Sequence, residues 1–450
     1  MKILTYIHVL GVVFLSLSMA YAQEGSPAME ISLSETLELA NQGNWDLLRA
    51  KEFIEQSQGA VAESRAVFLP NVRLSETFTT TTDPLMVFGF KLKQEITELS
   101  DFDPETLNNP ERIENFNTRI EVMQPLLNMD GIWKRKAAES MTENSEESYA
   151  WEKNQIALQA KALYFQLLLS YRQDEVVNKS YEAAIMNAQN AENLYEQGLL
   201  SKSDLLAAKM RTTEYESALI EIDNQLFKVN SDLVHFLQLP AETTLLPIDE
   251  MDDEILNMPI PENMSVSENR ADLKALKSRI KASEYEIKAH QHSGLPRLNL
   301  MGSYEWNDQV IFGGSASNYL VGANLQWDIF QGGKRAGQIQ KSKSTNRIAD
   351  LNYREKLSNS QAEVKQLQNK IRLSYKQLEL ADLSEKQAEE SFEIVSDRFK
   401  EGLEKTSDLL LSESNLLKKR LTKLQMQNQH QLLIFKLEVL TGLEIISTSL

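Results

Sequence analysis

Apolar and polar positions follow two different periods along this chain, and the longer period covers most of it. In the stretches 132–197 and 338–401, which contain neither Gly nor Pro, apolar residues recur every three to four positions. Val364, Leu367 and Ile371 show this spacing. A narrow apolar stripe on a mostly polar helix is typical of a coiled coil. At 1.5 Å per residue, each stretch predicts an uninterrupted helix of about 100 Å.

Four shorter runs alternate apolar and polar residues with a period of two, which predicts strands at about 71–82, 115–126, 297–307 and 318–329. The alternation is less clean in the first half, where Glu76 falls on the apolar phase. Strands that cross an outer membrane have about 9–11 residues and this alternation. A half-buried sheet of a soluble protein alternates in the same way. The strands alone therefore leave both interpretations open.

The two halves of the chain carry matching sequence motifs in the same order. NWDLLRA pairs with RADLKAL, QPLLNMDG pairs with QWDIFQGG, and YEQGLLSKSDLLAA pairs with FKEGLEKTSDLLLS. A Leu-Pro precedes the first strand of each half. This ordered set predicts a duplicated unit of a helix, two strands and a long helical hairpin. The resulting divisions are a signal peptide, 1–22; a first repeat, 23–239, with its hairpin tip at about 198–203; a linker, 240–269; and a second repeat, 270–450, with its tip at about 402–407.

Composition indicates that the chain is secreted and excludes several classes of protein. The N-terminus has a basic start, a short apolar run and Ala20-Tyr21-Ala22, which is the layout of a secretory signal peptide. The absence of Cys excludes a disulfide scaffold and Cys-ligated zinc. A net charge of −18 argues against nucleic-acid binding. No catalytic constellation, cofactor site or metal site is predicted, so we expect the chain not to be an enzyme.

Four strands cannot form a closed barrel, because the smallest single-chain barrels have about eight. An open sheet edge inside lipid would leave backbone groups without hydrogen bonds. Strands in a membrane would therefore require several copies of the chain to share one barrel. Three copies would supply twelve strands, and their long helices would continue the barrel as a tube.

These features together resemble the TolC family of outer membrane efflux channels. The motifs that carry the resemblance are NRADLKAL at 269–276, the two Leu-Pro pairs, QPLLNMDG, QWDIFQGGK and the two hairpin tips. The resemblance covers essentially the whole mature chain. It implies a mainly α homotrimer with a twelve-stranded β-barrel in the outer membrane, continued by a periplasmic α-helical coiled-coil barrel. It also implies three partners besides the chain itself: a periplasmic adaptor, an inner-membrane RND or ABC pump, and outer membrane lipid.

The function expected from the resemblance is that of an exit duct in a tripartite efflux system, which passively conducts substrates delivered by the pump and the adaptor. One alternative is the exit duct of a type I protein secretion system, which uses the same architecture. Another alternative, of a different class, is a periplasmic coiled-coil structural or adaptor protein without a barrel.

The hairpin tips hold the candidate functional residues. A lone Gly is expected to end each long helix, and Ser-Asp is expected to cap the returning helix. These residues are Gly198, Ser203 and Asp204 in the first tip, and Gly402, Ser407 and Asp408 in the second. Three copies of an Asp at the end of a tube would form a ring that favours cations. In the family, an aspartate at the position that matches Asp408 lines the periplasmic entrance, so Asp408 is the stronger candidate.

The second tip departs from the family pattern. Relatives close the entrance partly with a phenol and an Arg, whereas this chain has Phe399 and Glu404 at those positions. Leu411 stands where a second acidic residue is expected. One hypothesis is that Glu404 pairs with a base such as Lys405 or Lys202. The other is that the adaptor binds an apolar tip surface of Leu199, Leu200 and Leu403.

The first half also carries a connection between its strands, 83–114, that is much longer than its counterpart in the second half. Its apolar stretch LMVFGF at 85–90 suggests a segment that folds over the pore mouth or contacts neighbouring protomers. The alternative is a surface loop without a functional role.

Overall fold

A computed structural model describes residues 28–250 and 264–442. The predicted signal peptide and the middle of the predicted linker lie outside these residues. In chain order the elements are β1 (Ala28–Ile31), α1 (Leu33–Gly43), α2 (Trp45–Ser64), β2 (Asn71–Thr81), α3 (Pro84–Lys93), α4 (Pro104–Asn108), β3 (Ile113–Leu127), α5 (Met129–Glu196), α6 (Lys202–Leu237), β4 (Thr244–Pro247), α7 (Ala271–His292), β5 (Arg297–Asp308), β6 (Ala316–Gln326), α8 (Lys334–Lys400) and α9 (Thr406–Thr441).

The chain forms two compact units, and both sequence halves contribute to each. The first unit comprises the described parts of 1–49, 151–270 and 358–450, and the second comprises 50–150 and 271–357. Among the described residues, no helix combines the length and the apolar character needed to cross a membrane.

The second unit contains an antiparallel sheet with the strand order β2-β3-β5-β6. Its strands lie within a few residues of the predicted ones. Strand β6 ends at Gln326, earlier than expected, because Gln326 pairs with Arg297, the first residue of β5. Beyond that pair the neighbouring strand offers no further backbone partner.

The two faces of this sheet differ sharply in polarity. One face carries apolar side chains such as Val72, Leu74 and Tyr319, which are more than half exposed in the single chain. The opposite face carries polar side chains, including Arg119 and Glu305, which pair across the β3–β5 ladder. Glu76, a charged residue on the apolar face, accepts a hydrogen bond from its cross-strand partner, the Thr118 hydroxyl.

The first repeat begins with two helices, α1 and α2, where the duplicated unit predicted one. Asn44 has an extended backbone that ends α1, and its side-chain oxygen accepts a hydrogen bond from the Asp46 amide (2.9 Å), which starts α2. Ser32 and Glu35 form a capping box at the start of α1.

The first unit packs α1 and parts of α5, α6 and α9 around a parallel pair of short strands, β1 and β4. Its core includes Ile31, Tyr164 and Leu233, which are fully buried. The Tyr164 hydroxyl donates to Asp249 Oδ2 (2.5 Å), and burial raises the pKa of this phenol. The core thereby joins Ile31, near the start of the first repeat, to Asp249 in the linker.

The long helices α5 and α8 have 68 and 67 residues, and each is followed by a returning helix of 36 residues. The predicted stripe on α8 is buried at Val364, Leu367 and Ile371. Burial of this one stripe explains how such polar helices are held in place.

Candidate functional site at the hairpin tips

Both long helices end in the same backbone motif. In the first tip the Leu199 amide donates to Leu194 O and the Gly198 amide donates to Tyr195 O, both at 2.9 Å. In the second tip the equivalent amides of Leu403 and Gly402 donate to Arg398 O and Phe399 O, also at 2.9 Å. These are Schellman motifs, which place the residue after the helix in the left-handed region. Gly198 and Gly402 have φ of +75° and +73°, a conformation that favours glycine.

The returning helices begin differently from expectation. In the first tip the capping residue is Ser201 rather than Ser203: its hydroxyl accepts from the Asp204 amide (3.2 Å) and donates to Asp204 Oδ2 (2.7 Å). In the second tip Lys405 occupies the capping position, and its side chain makes no capping hydrogen bond. Ser407 therefore does not cap its helix. The Ser-x-x-Asp spacing, which is the signature of a capping box, was the sequence signal for Ser201.

The two aspartates occupy the third position of their helices but differ in environment. Asp204 is half-buried and bonded to Ser201, whereas Asp408 is exposed. Across the described residues, none of the side-chain hydrogen bonds or ion pairs involves the Asp408 carboxylate. The backbone amide of Asp408 donates to Lys405 O (3.1 Å). Of the two, Asp408 is the carboxylate that is available to an ion in solution.

Within the chain, Glu404 pairs with Arg398 rather than with Lys405 or Lys202. Arg398 Nε lies 3.0 Å from Glu404 Oε2 across the Gly402 turn. The Schellman motif brings the last turn of α8 next to the residues after the glycine, which explains this partner. Phe399 is partly exposed beside this pair.

The three tip leucines do not form one exposed surface. Leu199 and Leu403 are 71% and 64% exposed. Leu200 instead packs against a buried cluster formed by α5 and α6, which contains Ala191 and Leu205. Of these three leucines, Leu199 and Leu403 are therefore the two available for contact with a partner.

Above the tips, a buried polar cluster that the sequence did not reveal joins the two hairpins. Arg211 Nη2 on α6 donates to Leu410 O on α9 (3.3 Å), and Asn187 Nδ2 on α5 donates to Glu413 Oε2 on α9 (3.4 Å). Glu413 is only 5% exposed; burial raises the pKa of its carboxyl, and the nearby Arg211 partly offsets this rise. A charged residue on the apolar stripe, between Leu409 and Leu416, was the available signal.

The profile of the outer membrane efflux protein family matches the chain twice, at residues 36–235 and 265–443. The first match lies within the first repeat, and the second covers the end of the linker and most of the second repeat. Together with the fold they define an outer membrane efflux channel. The chain belongs to the outer membrane efflux protein family.

Solved structures with the same fold cover nearly the whole chain. CusC has a TM-score of 0.77 at 15% identity, with 94% of this chain and 96% of that chain covered. VceC from Vibrio cholerae has a TM-score of 0.71 at 17% identity, with 91% and 96% covered. CmeC from Campylobacter jejuni has a TM-score of 0.71 at 17% identity, with 91% and 85% covered. Comparison with curated protein sequences finds no match.

The predicted fold class and the outer membrane location are confirmed by this family membership. The four-stranded sheet is one third of a trimeric barrel, and the helical hairpins form the periplasmic tunnel. Family membership favours the channel over the alternative of a periplasmic structural or adaptor protein.

Proposed function

We propose that this channel is the exit duct of a tripartite efflux system. It passively conducts substrates that an inner-membrane RND or ABC pump and a periplasmic adaptor deliver to it. The observation that carries the proposal is the pair of matched tips, each of which ends in a Schellman turn and exposes one leucine, Leu199 or Leu403. Burial of a leucine side chain contributes about 1.5–3 kcal/mol, so a partner that covers these two leucines gains binding free energy from them.

The periplasmic entrance is proposed to be lined by Asp408, with Asp204 as a weaker contributor because Ser201 already engages its carboxylate. Three exposed Asp408 side chains around one axis would attract cations and repel anions. The Glu404–Arg398 pair and Lys405 then set the charge around the ring, and Phe399 supplies an apolar contact in place of a phenol. The structure of MtrE from Neisseria gonorrhoeae represents the open state of that channel, which supports an entrance that opens.

The test is dye accumulation in the native host after deletion of the gene. We expect ethidium to accumulate in the deletion strain and wild-type protein to restore export. The variant with Leu199→Ser and Leu403→Ser should reach the membrane as a trimer but fail to restore export, because the adaptor contact is lost. Leu411→Ser is the matched control, since Leu411 is as exposed as Leu199 but lies outside the turns.

Two outcomes would contradict the proposal. Dye accumulation that does not respond to the deletion, together with loss of a secreted protein, would assign the channel to type I secretion. Full export by the double Ser variant would remove these leucines from the adaptor contact. Passive conduction is tested separately, as ion current through the purified trimer in a planar bilayer without an energy source.

A further inference from the structure

The long connection between β2 and β3, residues 83–112 and here called the cap segment, is a folded element. Asp83 caps α3 by accepting from the Met86 amide (2.9 Å). Lys91 Nζ lies 2.6 Å from Asp101 Oδ1, and the rings of Phe88 and Phe102 meet edge to face at 5.5 Å. These contacts hold the returning part of the segment against α3.

The cap segment is anchored to the polar face of the sheet. Lys93 Nζ lies 3.0 Å from Glu305 Oε1, and Arg119 lies 3.0 Å from the other oxygen of the same carboxylate. Gln94 Nε2 donates to Asn115 Oδ1 and to Glu114 O, both at 2.8 Å. Glu305 and Asn115 are buried under the segment, although both lie on a polar sheet face.

The position of this anchor places the cap segment inside the barrel. Membrane barrels turn their apolar face to lipid and their polar face inward. The face that bears Glu305 and Asn115 is the polar one, opposite Val72 and Leu74. The segment also joins Thr81 to Ile113, the paired strand ends farthest from α5, where the barrel opens away from the helical tunnel.

Three cap segments would fill this opening. Twelve strands about 4.8 Å apart and tilted by about 40° close into a ring with a backbone diameter of about 24 Å. Three helices side by side, each roughly 10–12 Å wide with its side chains, span a circle of about 22–26 Å, which is as wide as the backbone ring itself and leaves no open lumen at this end. In the single chain, Leu85 and Leu92, which lie seven residues apart on one side of α3, are exposed, Leu85 by 81%. In a closed ring, copies of α3 from the other two protomers would be the partners of this side.

We propose that the cap segment closes the outer end of the channel to large solutes, with the three α3 helices packed around the axis and held by the Lys93–Glu305 ion pair. This inference rests on the trimeric barrel and not on the proposed adaptor or pump. Of the two earlier interpretations of the 83–114 connection, a segment over the pore mouth is the one that agrees with this geometry.

The chain contains no Cys, so a single introduced Cys can report on access to the barrel interior. Ser303 lies on the same sheet face as Glu305, two residues closer to the tunnel end of β5. Intact cells that carry Ser303→Cys are treated from outside with a small charged maleimide or with a maleimide on a long polyethylene glycol chain. A Cys at Val310, in the exposed β5–β6 connection, is the control for labelling outside the barrel. Cells without pump or adaptor are used, so that failure of the proposed partners leaves this readout unchanged.

We expect the small reagent to label Ser303→Cys in every background. The polymer reagent should label it roughly tenfold or more slowly than in a variant whose residues 85–110 are replaced by Gly-Ser-Gly, a factor that corresponds to about 1.4 kcal/mol. Lys93→Met should speed polymer labelling, and Lys93→Arg should not. These two variants test the proposal even where the shortened protein fails to assemble. Equal polymer labelling with intact, shortened and Lys93→Met caps would overturn the proposal, as would failure of the small reagent to reach Ser303→Cys.

Discussion

Gly402→Ala is expected to weaken the second tip through the backbone alone. Gly402 has a φ of +73°, and an added Cβ would meet no atom within 4 Å outside the adjacent residues, so clashes with the rest of the protein contribute nothing. An L-residue in the left-handed conformation costs about 1–2 kcal/mol. Local opening of the turn should therefore become about 5–30 times more frequent.

Hydrogen–deuterium exchange of peptides that span the tip measures this opening directly, because the Gly402 and Leu403 amides close the Schellman motif. Gly402→Asn should give a smaller increase, since Asn tolerates the left-handed region better than Ala. Gly59→Ala is the matched control: Gly59 lies within α2 with open space around it, and there Ala should stabilise the helix by about 0.5–1 kcal/mol. Unchanged exchange at the tip in Gly402→Ala would refute the assignment of strain to this glycine.

Three further predictions concern charge and burial. Asp408→Asn should weaken divalent-cation block of the channel current by about fivefold or more, because a carboxylate in contact with an ion contributes about 1 kcal/mol even in water; the exposed Asp397→Asn should not. The raised pKa of Glu413 means that the folded hairpins bind its proton more tightly than the unfolded chain does. The stability of the hairpins should therefore fall as pH rises from the ordinary carboxyl range through this raised pKa. Amide exchange, corrected for the intrinsic exchange rate at each pH, should show this fall in the wild type but not in Glu413→Gln. Tyr164→Phe removes the hydrogen bond to Asp249 and should lower the free energy of unfolding by about 1–3 kcal/mol, measured by denaturant titration of the trimer, whereas Tyr149→Phe on the same helix should not.

Much of the architecture follows from local sequence. The period of each segment, the Gly at each tip and the Leu-Pro before each first strand are short-range features, and they predicted the helices, strands and hairpins close to their observed positions. The errors were also local. Asn44 and Ser201 cap helices, and both are residue types that favour this position. Asn44 was missed because the apolar spacing continues across it. Ser201 was missed because the nearby Ser203-Asp204 pair offered another cap.

The duplicated order of elements, the two faces of the strands and the family can all be recognised without the structure. Each depends on residue spacing within one segment or on comparison between segments. Which distant side chains meet is a property of the folded chain: Glu413 contacts Asn187, and Lys93 contacts Glu305. Such contacts depend on how segments that are far apart in the sequence pack against each other. A lysine and a glutamate more than two hundred residues apart have no spacing rule that pairs them, and the folded cap segment was needed to show what lies over the polar face of the sheet.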